Sequence, residues 1–299
     1  MNSGIPLAAL AYVAWGLFPL YFHRLAAVGA FEIVLHRTVW SMVFVLIVLA
    51  VLRRFSWLGP VLRQPRLIGS FAVSALLLST NWLLYVWAVN HGHVLDASLG
   101  YFINPLVYVL LGYVVLHERP RRLQWAAVAM AGLGVAWLTV QAGQLPWIAL
   151  LLAFSFGFYG LMRKTAPLGA LEGLALETLL LAPIAVPLLA IATWRGEAAI
   201  ASADAPTVLW LLAAGPLTAV PLLLFAAGAR RITLATLGLL QYIGPTLQFA
   251  IGVWLFREPV QPAKLAGFAL IWIALAIYSG ESLWRFRRQP PQPAPAPSR

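Results

Sequence analysis

The sequence predicts an all-α polytopic membrane protein of ten transmembrane helices, arranged as two inverted-topology five-helix repeats. Of its 299 residues, 62% are hydrophobic and only 10% are charged, whereas soluble domains carry about a quarter charged residues. Ten apolar stretches account for nearly the whole chain, and motifs of the first half recur in the second. This composition excludes most cytosolic enzymes. The absence of cysteine also excludes disulfide frameworks, Cys-ligated metal sites and thiol nucleophiles.

Each predicted span approaches the roughly 20 residues that cross a bilayer as a helix, and each is bounded by charges or by Pro and Gly. The spans cover residues 5–22, 31–52, 67–89, 95–116, 123–140, 145–162, 171–191, 207–229, 233–256 and 263–283. Their connections are short, so no separate water-exposed domain is predicted. The last span leads into a proline-rich segment, residues 286–299, which we expect to be a disordered cytoplasmic tail.

Lys and Arg are distributed unevenly among the loops. With a cytoplasmic N-terminus, fifteen of the 20 Lys and Arg fall in cytoplasmic loops and the tail, and five fall elsewhere. Because short cytoplasmic loops carry the excess of positive charge, we predict that both termini are cytoplasmic. This placement accounts for the net charge of +11. We therefore expect membrane lipids, and not nucleic acid, as partners.

An internal repeat divides the chain into units of residues 1–141 and 142–285. Trp15-Gly16 matches Phe156-Gly157. Further matches, about 140 residues apart, are Pro105 with Pro245, Gly112 with Gly252, and Glu118 with Glu258. Because five is odd, the second unit enters the membrane from the opposite side. Inverted repeats of this kind are typical of secondary transporters, whose substrate sites lie near the bilayer midplane.

Three longer segments carry a family pattern: DASLGYFINPL at 96–106, SFGFYGLMRK at 155–164 and LGLLQYIGPT at 237–246. His36-Arg37 and Asn81-Trp82 fit the same pattern. From about residue 5 to 285, the chain thus resembles the RarD group of EamA-type transporters in the drug/metabolite transporter superfamily. The resemblance implies ten helices, a bacterial inner-membrane location and an efflux or permease role that is loosely associated with chloramphenicol.

Two ionisable residues, Arg37 and Glu177, lie inside spans at equivalent positions of the repeat. Such a group costs about 2.5–3.5 kcal/mol at the centre of a span, so it should face a cavity or a partner. Because their spans enter from opposite faces, we expect the two charges at different depths and not in a direct ion pair. In one interpretation, Arg37 attracts an anionic or polar substrate group and Glu177 takes and releases a proton. In the other, Arg37 reaches outward to the interface and Glu177 is buried beside a hydroxyl such as that of Thr178.

The other predicted substrate-binding residues are amides, which orient a ligand, and aromatic rings, which hold its flat apolar part. They are Trp15, Asn81, Trp82, Tyr101, Asn104, Phe158, Gln241 and Tyr242. Interhelical amide bonds and interfacial aromatic belts give the same residue types a purely structural role, and this alternative stays open.

Two further sets of polar residues give weaker signals. Glu118 and Glu258 close equivalent spans, where they either cap gates or pair with Arg119 and Arg257. The histidines of His91-Gly92-His93 lack additional ligands at suitable spacing, so we expect no metal and no cofactor.

The predicted function is that of a monomeric secondary transporter that moves a small amphipathic metabolite or drug by alternating access. Proton coupling and exchange are both open as its energy source. No P-loop, HExxH, GxSxG or GxGxxG motif stands in a suitable context, so we do not expect an enzyme. The alternative is a membrane-embedded enzyme acting on a lipid-linked substrate. It would need clustered acid–base or metal groups at one face, whereas the acidic residues here are scattered.

Overall fold

A computed structural model describes residues 4–90, 94–142, 147–257 and 262–288, and within these ranges the regular structure is helical, with no strand. The helices are α1 (Gly4–Gly16), α2 (Phe18–Arg24), α3 (Ala30–Val51), α4 (Leu58–Leu62), α5 (Pro65–Asn90), α6 (Val94–Val114), α7 (Arg122–Ala142), α8 (Trp147–Thr165), α9 (Ala170–Trp194), α10 (Ala205–Ala229), α11 (Leu234–Gln241), α12 (Ile243–Trp254) and α13 (Pro262–Arg288). A short 3₁₀ helix, Ala199–Ala201, precedes α10. Each predicted span coincides with one long helix or with a broken pair.

Eight helical stretches of the described ranges are long and apolar enough to cross a membrane. Helices α6 and α13 contain shorter apolar runs, Gly100–Val114 and Leu265–Ala274. The outside of the bundle presents large apolar side chains; Trp194 and Trp254, at helix ends, are 87% and 81% exposed. The chain is therefore a multi-pass helical membrane protein, while the count of ten spans and the inverted repeat stay predictions.

Two spans are each broken into two helices near a proline. The chain leaves α1 at Leu17 and re-enters a helix with Pro19 in the first turn of α2. It leaves α11 at Tyr242 and continues as α12 with Pro245 in the first turn. Proline has no N–H to donate to the preceding turn, which frees a backbone carbonyl at each position. Pro105, the repeat equivalent of Pro245, lies inside α6 without a break.

The two halves of the chain pack against each other throughout the bundle. Helix α6 packs on α8 and α11, α3 packs on α9 and α10, and α1 packs on α10 and α12. The last spans of the two halves, α7 and α13, pack against each other. Their backbones approach closely at Gly134 and Gly267: a Cβ added to Gly134 would lie 2.8 Å from the Gly267 carbonyl oxygen. Small residues permit this approach because they leave no side chain between the helix axes.

Helix α13 continues through Arg288, beyond residue 286, where the sequence predicted a disordered tail. No proline occurs between Pro262 and Pro290, so the chain has no local reason to leave the helix earlier. Residues 289–299 lie outside the described ranges.

Candidate functional site

A cavity of about 590 Å³ lies between helices of both halves. The side chains of α1, α2, α3, α5, α6, α8, α10, α11 and α12 contribute to its walls, and residues 25–30 form one end of it. We call the end of the bundle that carries residues 25–29 and 195–204 the 25–29 end, and the opposite end the 230–233 end. The volume is in the usual range for a small-molecule site.

Six of the predicted substrate-binding residues line this cavity: Trp15, Arg37, Asn81, Trp82, Tyr101 and Gln241. Further polar and aromatic lining residues are Tyr12, Phe18, Phe22, Tyr85, Phe156 and Gln248. Trp15, Phe18 and Phe22 are spaced by three and four residues, and residues at this spacing share a helix face. The spacing could therefore have predicted Phe18 and Phe22.

Arg37 lies in the cavity wall and is 8% exposed. Its Nε donates a hydrogen bond of 3.0 Å to Thr218 Oγ1 on α10. The guanidinium carbon is 4.4 Å from a ring centroid of Trp82, 5.4 Å from that of Phe18 and 5.9 Å from that of Phe22. At these distances the rings attract the cation through their negative faces. The guanidinium is thus held in a fixed position beside the cavity.

Two of the predicted residues, Asn104 and Tyr242, lie behind the cavity wall. Asn104 Nδ2 donates to Gln241 Oε1 at 2.9 Å and so holds the side chain that reaches the cavity. The Tyr242 hydroxyl donates to the Phe102 carbonyl at 3.2 Å, and the ring is fully buried. Both residues therefore position helices α6 and α11 and do not face the cavity.

Phe158 also lies outside the cavity. Its side chain is 42% exposed and its ring centroid is 6.4 Å from that of Phe154. Residues two apart on an α-helix point about 200° apart, so the cavity-facing ring is that of Phe156. The centroid of Phe156 lies 5.8 Å from that of Trp15, its equivalent in the sequence repeat.

Glu177 is buried in an ion pair that the sequence did not predict. Its Oε1 lies 3.7 Å from Arg163 Nη1, with the two side chains 1% and 2% exposed, and accepts a hydrogen bond of 2.6 Å from Ser74 Oγ. The expected hydroxyl partner, Thr178, instead donates to the Leu174 carbonyl at 3.0 Å. The charge pattern of the sequence places Arg163 among the cytoplasmic loop charges, whereas the structure places it within α8.

Asn81 joins α5 to α8, because its Nδ2 donates a hydrogen bond of 2.9 Å to the Leu152 carbonyl.

At the 230–233 end, Glu118 joins the segment that follows α6 to the start of α11. Its Oε1 accepts from the backbone N–H of Leu234 at 3.0 Å and its Oε2 from that of Ala235 at 3.4 Å. Lys164 Nζ lies 3.5 Å from Glu118 Oε1 and also donates to backbone carbonyls of the segment 229–232. Because the first N–H groups of a helix lack internal partners and carry partial positive charge, the carboxylate stabilises the start of α11. The partner cation is thus Lys164 and not Arg119.

The remaining weaker sequence signals come from one acidic residue and two histidines. Glu258, His91 and His93 lie outside the described residues. Among the residues that are described, no group of three or more His, Cys, Asp and Glu is arranged to hold a metal ion.

Apolar helices that cross the membrane around a solute-sized cavity with a buried charge define a membrane transporter. The chain belongs to the EamA-like transporter family, whose pattern matches residues 2–140, and within it to the RarD group. An uncharacterized transporter of Pseudomonas aeruginosa is 48% identical over 98% of each chain. Protein RarD of Escherichia coli (strain K12) is 45% identical over 96% of this chain and 97% of its own. A solved crystal structure shares the fold with a TM-score of 0.71 at 21% identity, over 94% of this chain and 99% of its own.

Removing one member of the Arg163–Glu177 pair should destabilise the protein more than removing both. A single loss leaves an uncompensated buried charge, which costs about 3–5 kcal/mol, whereas apolar replacement of a whole pair is often close to neutral. We expect Arg163→Met and Glu177→Leu each to lower the thermal midpoint in detergent, and the double variant to recover most of the loss. Additive losses in the double variant would contradict an interaction between the two residues.

Proposed function

We propose that this protein is a secondary transporter that moves a small amphipathic metabolite or drug across the bacterial inner membrane by alternating access, as a monomer. The proposal depends on one observation: the cavity reaches the 25–29 end, while Glu118 and Lys164 close the 230–233 end. A site open toward one end and closed at the other is one of the two states that alternating access requires.

The orientation in this proposal follows from the distribution of Lys and Arg. The loops at the 230–233 end carry most of the positive charge, including Arg53, Arg54, Arg230 and Arg231. Positive loops favour the cytoplasmic side. We accordingly assign the 230–233 end and both chain termini to the cytoplasm, so that the cavity faces outward in this conformation.

Equivalent contacts in the two halves support an inverted repeat. Arg37 on α3 bonds to the hydroxyl of Thr218 on α10, and Glu177, about 140 residues later on α9, bonds to the hydroxyl of Ser74 on α5. Each pair joins the second span of one half to the third span of the other. Two halves that exchange conformations would open the opposite end of the bundle.

In this proposal Glu177 carries the coupling proton, with solute exchange as the other source of energy. Its carboxylate is fully buried on the cytoplasmic side of the cavity, against Arg163 and Ser74. Protonation would cancel the attraction to Arg163 and loosen the contact between α8 and α9.

Ring faces and amides in the cavity wall suit amphipathic solutes, and chloramphenicol-like molecules belong to the class that we propose.

Transport by purified protein in proteoliposomes tests the function. A thermal-shift screen of metabolites and antibiotics supplies the solute, and its uptake is followed with and without an imposed pH gradient. We expect saturable uptake that the gradient accelerates, loss of that acceleration in Glu177→Gln, and wild-type behaviour in Glu197→Gln, which changes an exposed acid in the 195–204 loop. Absence of uptake by the wild type would contradict the function, and a normal gradient response in Glu177→Gln would contradict its role.

Weakening the closure at the 230–233 end should expose the start of α11. Ala235 is 3% exposed, and the chain has no cysteine, so Ala235→Cys provides one defined labelling site. We expect a membrane-impermeant maleimide, applied from the cytoplasmic side, to react about tenfold faster when Glu118→Gln is added, which corresponds to a population shift of about 1.4 kcal/mol. Adding Glu197→Gln instead should leave the rate unchanged. Equal rates in all three proteins would contradict a closing role for Glu118.

A further inference from the structure

The charge in the cavity is unbalanced. Arg37 is the one charged side chain among the described residues that line the cavity. Within the described part of the chain, no carboxylate lies within 4.0 Å of it. The other deeply buried arginine, Arg163, has Glu177 as its counter-ion. Because a buried cation is costly without a partner, the described residues leave the cavity one negative charge short.

The geometry around Arg37 leaves one side of the guanidinium available. Nε is occupied by Thr218 Oγ1, whereas Nη1 and Nη2 have no hydrogen-bond acceptor among the described residues. The rings of Trp82, Phe18 and Phe22 attract the cation but offer no acceptor in their planes. A guanidinium presents its N–H groups as a planar fork that matches a carboxylate, through two parallel hydrogen bonds.

The rest of the cavity combines aromatic ring faces with a few hydroxyl and amide groups, including those of Asn81, Tyr85 and Tyr101. Trp15 and Phe156 contribute ring faces to the wall. The amides are partly committed: Gln241 Oε1 accepts from Asn104, and Gln248 Nε2 donates to the Trp15 carbonyl at 3.2 Å. The Nε2 group of Gln241, and the Oε1 and second N–H of Gln248, remain for a ligand. Such walls hold an aromatic ring by stacking and provide little for a strongly hydrated molecule.

We infer that the transported solute is a small aromatic monocarboxylate, whose carboxylate binds the Nη1 and Nη2 groups of Arg37 and whose ring packs against the aromatic walls. The inference rests on the transport function proposed above and specifies its substrate class. One positive charge accommodates one negative charge in a site of low dielectric constant. A cation would be repelled there, and a dianion would bring a second charge without a partner.

A series of three ligands of nearly equal size tests the charge requirement on the wild-type protein. The ligands are 3-phenylpropanoate, 3-phenylpropanamide and 3-phenylpropylamine, which are anionic, neutral and cationic at neutral pH. Isothermal titration of the detergent-solubilised protein should show the anion binding about 10- to 100-fold more tightly than the amide, as expected for charge-assisted hydrogen bonds. The amine should show no measurable binding. Equal affinities for the anion and the amide, tighter binding of the amine, or no binding by any of the three would overturn the inference.

Variants then assign the preference to Arg37. Arg37→Gln should bind the anion and the amide equally, and Arg37→Lys should retain a reduced preference because the charge stays while the planar fork is lost. The matched control is Arg195→Gln, which changes an exposed arginine at the same end of the bundle and should bind as the wild type does. If Arg37→Gln does not fold, Thr218→Val removes only the Nε acceptor and should weaken anion binding selectively. Selective anion binding that persists in Arg37→Gln would overturn the assignment.

These measurements separate the substrate class from the transport function. Labelling of Ala235→Cys and the transport screen do not depend on the charge of the solute. A protein that passes those tests but binds the amide as tightly as the anion is a transporter of another substrate class. A protein that binds the anion through Arg37 but fails to change accessibility or to transport solute contradicts the function alone.

Discussion

A charged or hydrogen-bonding group inside a lipid-surrounded bundle must find its partner within the protein, because the hydrocarbon offers none. The polar contacts of this chain follow from that constraint. Arg163 is neutralised by Glu177, and Asn104 is joined to Gln241. Glu118 accepts hydrogen bonds from the first two N–H groups of α11, whose N-cap residue is Thr233. The Asn104–Gln241 bond, the Glu118 contact and the bond from Ser74 to Glu177 each join one half of the chain to the other, so satisfying the polar groups also fixes how the two halves pack.

In the transport cycle that we propose, the same constraint would favour two discrete states. The contacts that close the 230–233 end consist of a carboxylate, an ammonium group and backbone groups, and all of them must exchange partners before that end can open. Opening therefore replaces one set of polar contacts with another instead of deforming the bundle gradually. Arg37 has no counter-ion among the described residues, so in the proposed cycle a bound anion would alter the balance between states through its own contacts.

Much of the architecture could be predicted from the sequence because length and apolarity determine where helices cross a membrane. The place of Arg37 in the cavity wall could be predicted because an ionisable group inside a span requires a cavity or a partner. The facing of individual side chains does not, since it depends on helix rotation: Phe156 faces the cavity while Phe158 faces outward. The depth of Arg163 was also missed, because its charge fitted the loop pattern that orients the protein.

Distances across the two ends of the bundle test alternating access most directly. Spin labels at Ala27 and Ser202 report on the 25–29 end, and labels at Val115 and Arg231 report on the 230–233 end; all four residues are exposed. Pulsed electron resonance on protein in lipid nanodiscs would measure each pair across a range of pH and with added solute. We expect opposite changes, with one distance lengthening as the other shortens. Two distances that stay fixed, or that lengthen together, would contradict the account.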